Sequence, residues 1–427
     1  MSLRDKITLS PIHKISGIVN LPGSKSLSNR ILLISMLAEG HTKIHNLLDS
    51  DDTRRMVEAF KILRINFEEK RSENSILVYG TRGEIPVSEA TLFLGNAGTA
   101  IRPLTAAMTL GQGRFVLDGI DRMRERPIKD LVDALNQLGA NINCINGTGC
   151  PPVEVMARGL PGGRTRLSGS ISSQYLTSIL IVAPYAKKEI EIEITDKLVS
   201  EPYVKMTIDL MRRFGVQVNH KEFKKFHVPL QNYQSPGSIF VEGDASSASY
   251  FLAGAAITGG SVTVKGCGSD SIQGDIFFAE VLEKMGAKVS WSPQQLTLTG
   301  AKLKGIDIDM NQMPDVAMTL SVTALFASGT TIIRNIYNWR LKETERLFAV
   351  SKELRKLGAE IVEGHDYIVI HPPQEIKATS IDTYEDHRMA MSFSLAACGN
   401  SEITINNPKC VSKTFPDYFD VLSGLSS

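Results

Sequence analysis

The chain carries almost no net charge. Its 47 Lys and Arg stand against 46 Asp and Glu, leaving +1 over 427 residues. A nucleic-acid or membrane-surface protein shows a clear basic surplus, so neither partner is expected. Cysteine is scarce as well. The five, Cys144, Cys150, Cys267, Cys398 and Cys410, are odd in number and form no CxxC pair. That pattern excludes a disulfide framework and argues against a zinc site. Long apolar runs are missing: nothing reaches the 18 or so residues of a membrane span. The opening MSLRDKITLSPIHKISG lacks the apolar stretch of a signal peptide, so the cytoplasm is the expected compartment. What remains is an ordinary globular balance, 42% hydrophobic and 22% charged, at a length natural for two domains.

Within that length lies a repeat. Helix-like segments ending in Gly and followed by a β-rich run recur as ALNQLGANI, DLMRRFGVQV, EVLEKMGAKV and ELRKLGAEI. Their glycines, Gly139, Gly215, Gly286 and Gly358, are 71 to 76 residues apart. A degenerate copy, EAFKILRINF, puts Arg64 where the glycine belongs, and DYFDVLSGL ends the set without its strand. A second set interleaves with the first. It reads GSKSLSNRILLISMLA, GNAGTAIRPLTAAMTL, GSISSQYLTSILIVA, GDASSASYFLAGAAI, MPDVAMTLSVTALFA and EDHRMAMSFSLAA. Each is a polar cluster, aligned on Ser26, Thr99, Ser173, Ser246, Asp315 and Asp386, ahead of an apolar run. The clusters read as N-caps, and the runs as helices apolar on every face and therefore buried. The Gly-terminated helices are amphipathic and cover them. Six units of about 72 residues predict an α/β protein of two three-unit domains.

The second set also carries cations where helix stability disfavours them. Lys25, Arg30, Arg102 and Arg388 sit in or just after the caps; Arg126, Lys342, Arg346 and Lys413 precede the amphipathic helices. A helix N-terminus already bears partial positive charge and free N–H donors, so a basic first turn costs stability. Repeated at equivalent places, it points to a pocket for ligands with several negative charges. Asp315 and Glu343 lie in the same layer. A carboxylate among cations stays ionised and can serve as a base, although Asp315 also reads as a plain N-cap and Glu343 as dipole compensation. GSKS is not a P-loop, because GxxxxGK[ST] is absent.

LPGSKSLSNR, LFLGNAGTAIRPL, RMRERPI, SSQY, PDVAMT, NWRLKETERL, DHRMAM and PKCVSKTFPDYF, in that order over residues 21–419, resemble the signatures of the 5-enolpyruvylshikimate-3-phosphate synthase family of enolpyruvyl transferases. The resemblance implies two similar domains, each of three β/α folding units with buried parallel helices, in an inside-out α/β barrel. One domain takes residues 1–21 and 242–427, the other 22–241, with the active site in the cleft. It implies the substrates shikimate 3-phosphate and phosphoenolpyruvate, no metal, no organic cofactor and a monomer. Carried over by motif, the shikimate 3-phosphate site is Lys25, Ser26, Arg30, Ser172, Ser173, Gln174, Ser200, Tyr203, Asp315, Asn338 and Lys342. The phosphoenolpyruvate site is Lys25, Gly98, Arg126, Gln174, Arg346, Arg388 and Lys413, with Arg102 and His387 nearby. Asp315 is then the base, and Glu343 with Lys25 moves protons. Gly98 fits because a side chain there would crowd phosphoenolpyruvate, and GNAGTAIRP resembles the glyphosate-sensitive form of the family.

Three rivals stay open at this point. The sister transferase acting on a UDP-linked amino sugar usually has a reactive loop cysteine, and DGIDRMRERPI has none. An RNA 3′-phosphate cyclase shares a related folding unit and would use a histidine. A non-catalytic anion-binding scaffold would bind without turnover.

Overall fold

The six polar-to-apolar segments all become helices in the computed structural model, which describes residues 5–427. They are Lys25–Leu37, Gly98–Met108, Ser173–Val182, Ala245–Thr258, Ala317–Thr323 and His387–Ser394. Burial matches their apolar surfaces: all of Lys25–Leu37 except Ser26 is buried, as is all of Ala317–Thr323. The amphipathic set follows in register as Asp51–Ile62, Lys129–Gln137, Glu201–Arg213, Phe278–Met285, Arg346–Lys356 and Tyr418–Leu425.

Five of these amphipathic helices end alike. The residue at the glycine position takes positive φ: Gly139 at 88°, Gly215 at 82°, Gly286 at 126°, Gly358 at 100° and Arg64 at 58°. The next N–H then reaches back five residues, as Ile65 N does to Phe60 O and Ala140 N to Leu135 O. This closure satisfies carbonyls the helix leaves open. Arg64 adopts the same left-handed geometry despite its Cβ, which costs about 1–2 kcal/mol. Gly424 differs: it lies inside the final helix, not beyond it.

The N-cap expectation needs correction. Only Asp386, among the six aligned residues, is a cap whose side chain takes a first-turn N–H, from Arg388 at 2.9 Å. Two other caps fall one or two residues earlier, at Ser172 and Asp244. Helices Lys25–Leu37, Gly98–Met108 and Ala317–Thr323 have no side-chain cap. In the first two, the cap positions are Ser24 and Ala97, and the sequence spends its polar residues inside the first turns instead.

Contacts divide the chain into two units. One is Gly23–Val241; the other joins Glu242–Ser427 to the segment ending at Pro22. Each full repeat makes a four-stranded sheet in which a parallel pair flanks an antiparallel hairpin. Glu89–Phe93 runs parallel to Gln112–Asp118, which pairs antiparallel with Val153–Arg158 and through it Ile142–Cys144. Two sheets instead borrow their first strand from far along the chain. Ser238–Phe240 lies parallel to His41–His45 in the Gly23–Val241 unit. Gly17–Asn20 lies parallel to Ser261–Lys265 in the other. In the last repeat Thr379–Ile381 and Ile403–Asn406 form the parallel pair, and Lys6–Leu9 takes the antiparallel place where the missing hairpin would lie.

Candidate active site

In the Gly23–Val241 unit, the first turns of two buried helices and the loop ahead of Lys129–Gln137 carry the cations. Lys25 opens its helix with Nζ 3.5 Å from Asp52, and both side chains are nearly buried. Asp52 sits in the first turn of Asp51–Ile62 and also accepts from Thr99 Oγ1 at 3.3 Å, while Asn29 donates to Thr99 at 2.8 Å. Arg30 is one turn further on. Its Nη1 donates to Ser26 O at 3.0 Å and its Nε to Thr207 Oγ1 at 2.8 Å. Thr207 in turn donates to Tyr203 O, and Tyr203 N to Ser200 O. Ser200 stands at φ 54° before its helix. Burial pushes the Arg30 guanidinium down to about 10, opposed by Tyr203, which leaves it charged at neutral pH.

Arg102 and Arg126 converge over Gly98. Arg102 Nη1 donates to Gln174 Oε1 at 2.8 Å, and its guanidinium lies 5.7 Å from the Tyr175 ring centroid. Arg126 Nη1 donates to Asn96 O and Oδ1 at 3.0 and 2.9 Å. A Cβ on Gly98 would stand 2.6 Å from Arg102 Nη1 and 2.8 Å from Arg126 Nη2. A side chain there would have to push back the two guanidinium tips, a consequence separate from the ligand crowding expected from sequence. Ser172 accepts from Gln174 N at 3.3 Å and sets the start of the helix that delivers Ser173 and Gln174.

The other unit holds a denser cluster. Asp315 receives Arg346 Nη1 on Oδ1 at 2.9 Å and Arg388 Nη2 on Oδ2 at 2.9 Å, with Lys342 Nζ at 3.4 Å. Arg346 Nη2 also donates to Glu343 Oε2 at 2.9 Å, and its Nε to Asp386 Oδ2 at 2.7 Å. Arg388 Nη1 donates to Tyr250 Oη at 3.2 Å. Burial works against a charged Asp315, but Arg388, Lys342 and Arg346 outweigh it and Glu343's repulsion, holding the carboxyl well below its usual range. Burial likewise disfavours the Arg346 charge, and Asp386, Glu343 and Asp315 overcome it. Asn338 is buried with its Oδ1 unpartnered among the described residues. Lys413 is buried at the end of the turn Pro408–Lys413, and His387 is buried beside Asp386.

Sequence reasoning missed several members. Asp386 was aligned only as a cap, and Asp52, Thr207, Asn96 and Tyr250 were not singled out. Asp275 is the other surprise: buried and bonded by Ser246 Oγ, its carboxyl is pushed up to about 6 by burial and by Asp315. Among the described residues no group of three or more His, Cys, Asp or Glu is placed to hold a metal, and no helix is long and apolar enough to cross a membrane.

Each unit thus gathers buried or half-buried cations held by carboxylates, a setting suited to ligands with several negative charges. A family model described as EPSP synthase (3-phosphoshikimate 1-carboxyvinyltransferase) matches residues 9–422. The chloroplastic 3-phosphoshikimate 1-carboxyvinyltransferase of Solanum lycopersicum is 58% identical, covering 99% of this chain and 84% of its own. The Vibrio vulnificus 3-phosphoshikimate 1-carboxyvinyltransferase is 54% identical over 99% of both chains. A solved EPSP synthase from Acinetobacter baumannii superposes with a TM-score of 0.82 at 25% identity, covering 99% of this chain and 98% of that one. The chain therefore belongs to the EPSP synthase family, the 3-phosphoshikimate 1-carboxyvinyltransferases.

Proposed function

We propose that this chain transfers the enolpyruvyl group of phosphoenolpyruvate to the 5-hydroxyl of shikimate 3-phosphate, releasing phosphate, with Asp315 as the base. The observation that carries the assignment of roles is the carboxylate of Asp315 ringed by Arg346, Arg388 and Lys342 at 2.9, 2.9 and 3.4 Å. Held this far below the usual carboxylate range, Asp315 is by itself too weak a base. An anionic substrate that takes up the same cations removes their pull, and the carboxyl's proton affinity rises as the hydroxyl arrives.

Arg126, Arg346, Arg388, Lys413 and Lys25 hold the carboxylate and phosphate of phosphoenolpyruvate in this reading, with Gly98 leaving room and Gln174 bridging. Arg30, Ser26, Ser172, Ser173, Ser200, Tyr203, Asn338 and Lys342 hold shikimate 3-phosphate. The hydroxyl oxygen bonds to C2 of the enol, its proton passes to Asp315, and C3 takes a proton from Glu343 or Lys25. The tetrahedral adduct then breaks its C2–O bond to phosphate and returns a C3 proton, restoring the double bond. Fixed cations lower both barriers by alignment and by neutralising charge as it moves. Action as a monomer in the cytoplasm, without metal or organic cofactor, completes the reading.

Phosphate release is the direct assay. Release from phosphoenolpyruvate should require shikimate 3-phosphate; release with a UDP-sugar acceptor, or with none, would refute the substrate assignment. Asp315→Asn should lower kcat by about 10²–10⁴ while the protein stays folded by circular dichroism. Near-normal turnover in that variant removes Asp315 from the base role.

A further inference from the structure

The carboxylate of Asp386 hangs on a turn that its own residues resist. Tyr384 and Glu385 both stand at positive φ, 53° and 57°, a region bulky L residues rarely occupy. Such a turn persists only where its surroundings over-determine it. Here they do so from two sides. Tyr384 Oη donates to Glu353 Oε1 at 2.6 Å, and Asp382 N donates to Glu353 Oε2 at 3.2 Å. Glu353 is wholly buried and also meets Lys356 Nζ at 2.7 Å. From the other side Asn407 Nδ2 donates to Glu385 Oε1 at 2.7 Å, just ahead of the turn that ends in Lys413.

Glu353 and Arg346 share the helix Arg346–Lys356, two turns apart. That helix is therefore fastened to the segment Asp382–Asp386 twice: by Arg346 to Asp386 at its start, and by Glu353 to Tyr384 and Asp382 further along. We infer that Glu353 and Tyr384 are positioning residues for the transfer reaction, holding the strained turn so that Asp386 keeps Arg346 and the first turn of Arg388 in place for phosphoenolpyruvate. The inference rests on reading Arg346 and Arg388 as phosphoenolpyruvate ligands. Without the tether the turn relaxes toward ordinary φ, and the Asp386 carboxylate moves with it. Charge-assisted hydrogen bonds are short and directional, so a small shift loosens the anion site while the fold persists.

Tyr384→Phe removes only the hydroxyl. Its kcat, the KM for each substrate and its unfolding temperature should be measured beside Arg346→Lys. The expected result is a KM for phosphoenolpyruvate raised roughly five- to tenfold, a KM for shikimate 3-phosphate changed less than twofold, and an unfolding temperature within a few degrees of the parent. Glu353→Gln keeps an acceptor for Tyr384 and should recover most of the affinity that Glu353→Ala loses. An unchanged phosphoenolpyruvate KM in folded Tyr384→Phe overturns the inference. So does a Glu353→Gln no better than Glu353→Ala. If Arg346→Lys raises that KM and Tyr384→Phe does not, the tether alone is wrong; if neither does, the site assignment falls with it.

Discussion

Replacing Gly98 by alanine adds one methyl group at the point where Arg102 and Arg126 meet. That methyl would lie 2.6 Å from Arg102 Nη1 and 2.8 Å from Arg126 Nη2, where ordinary contact begins near 3.4 Å. The backbone is not left-handed here, so alanine itself is accommodated. Relief must come from the guanidinium tips, which have to retreat by about 0.8 and 0.6 Å, the shortfall from ordinary contact. Arg102 starts 2.8 Å from Gln174 Oε1; a retreat of that size takes the bond beyond the roughly 3.2 Å at which N–H···O bonds weaken. A hydrogen bond to a charged group contributes about 1.5–3 kcal/mol, and about 1.4 kcal/mol is tenfold in affinity. The KM for phosphoenolpyruvate should therefore rise roughly 10- to 100-fold, with the unfolding temperature within a few degrees, because only side-chain tips move. Glyphosate should compete with phosphoenolpyruvate in the parent. Its inhibition constant should rise more than that KM in the variant, since the larger ligand has less slack. Initial rates at varied phosphoenolpyruvate, with and without glyphosate, give both numbers. Equal losses would show that the methyl does not discriminate by size, and an unchanged KM in folded protein would refute the displaced-guanidinium argument.

Further outcomes follow from other groups. Asp275, with its pKa raised to about 6, binds its proton more tightly folded than unfolded, so its contribution to stability falls as pH rises from about 4 to 6. Asp275→Asn should raise the unfolding temperature near pH 7.5, and the gain should shrink toward pH 4.5; a pH-independent gain contradicts the assignment. Arg64→Gly should stabilise the fold by up to about 1 kcal/mol, since relief at φ 58° exceeds the added chain entropy; a lower midpoint in urea would show that the arginine side chain matters more. Cys410 is held at a thiol pKa of about 12, chiefly by burial, as is Cys398. Prolonged exposure to fosfomycin should leave activity and mass unchanged, because alkylation needs a thiolate; a single covalent adduct would overturn this.

The repeat was legible because it is written in local pattern: six apolar helices and five helix ends with one closing geometry. Even Arg64 was correctly aligned, since periodicity fixes a position whatever residue fills it. The cation layer was legible for a similar reason, as charge placed against the helix dipole stands out. What pairs with those cations was not. Asp52 reaches Lys25 from another helix, and Asp386 reaches Arg346 across 40 residues of sequence, and nothing in the spacing specifies either meeting. The exchanged strands escaped for the same reason: Gly17–Asn20 has an ordinary strand pattern, and its partner Ser261–Lys265 lies far along the chain.

Those exchanged strands set an order of assembly during synthesis. The Gly23–Val241 unit has all its strands once Ser238–Phe240 has emerged, and can then close its sheets. The other unit cannot begin with its own first strands. Lys6–Leu9 and Gly17–Asn20 precede every other described element, yet Gly17–Asn20 must wait for Ser261–Lys265, and Lys6 for Asn406. Pairings of such separation form late, after the loops they close are already compact. The nascent chain thus carries two unpaired edge strands through most of its translation, when edges are most prone to pair wrongly. The earliest of the described strands completes the last sheet to form.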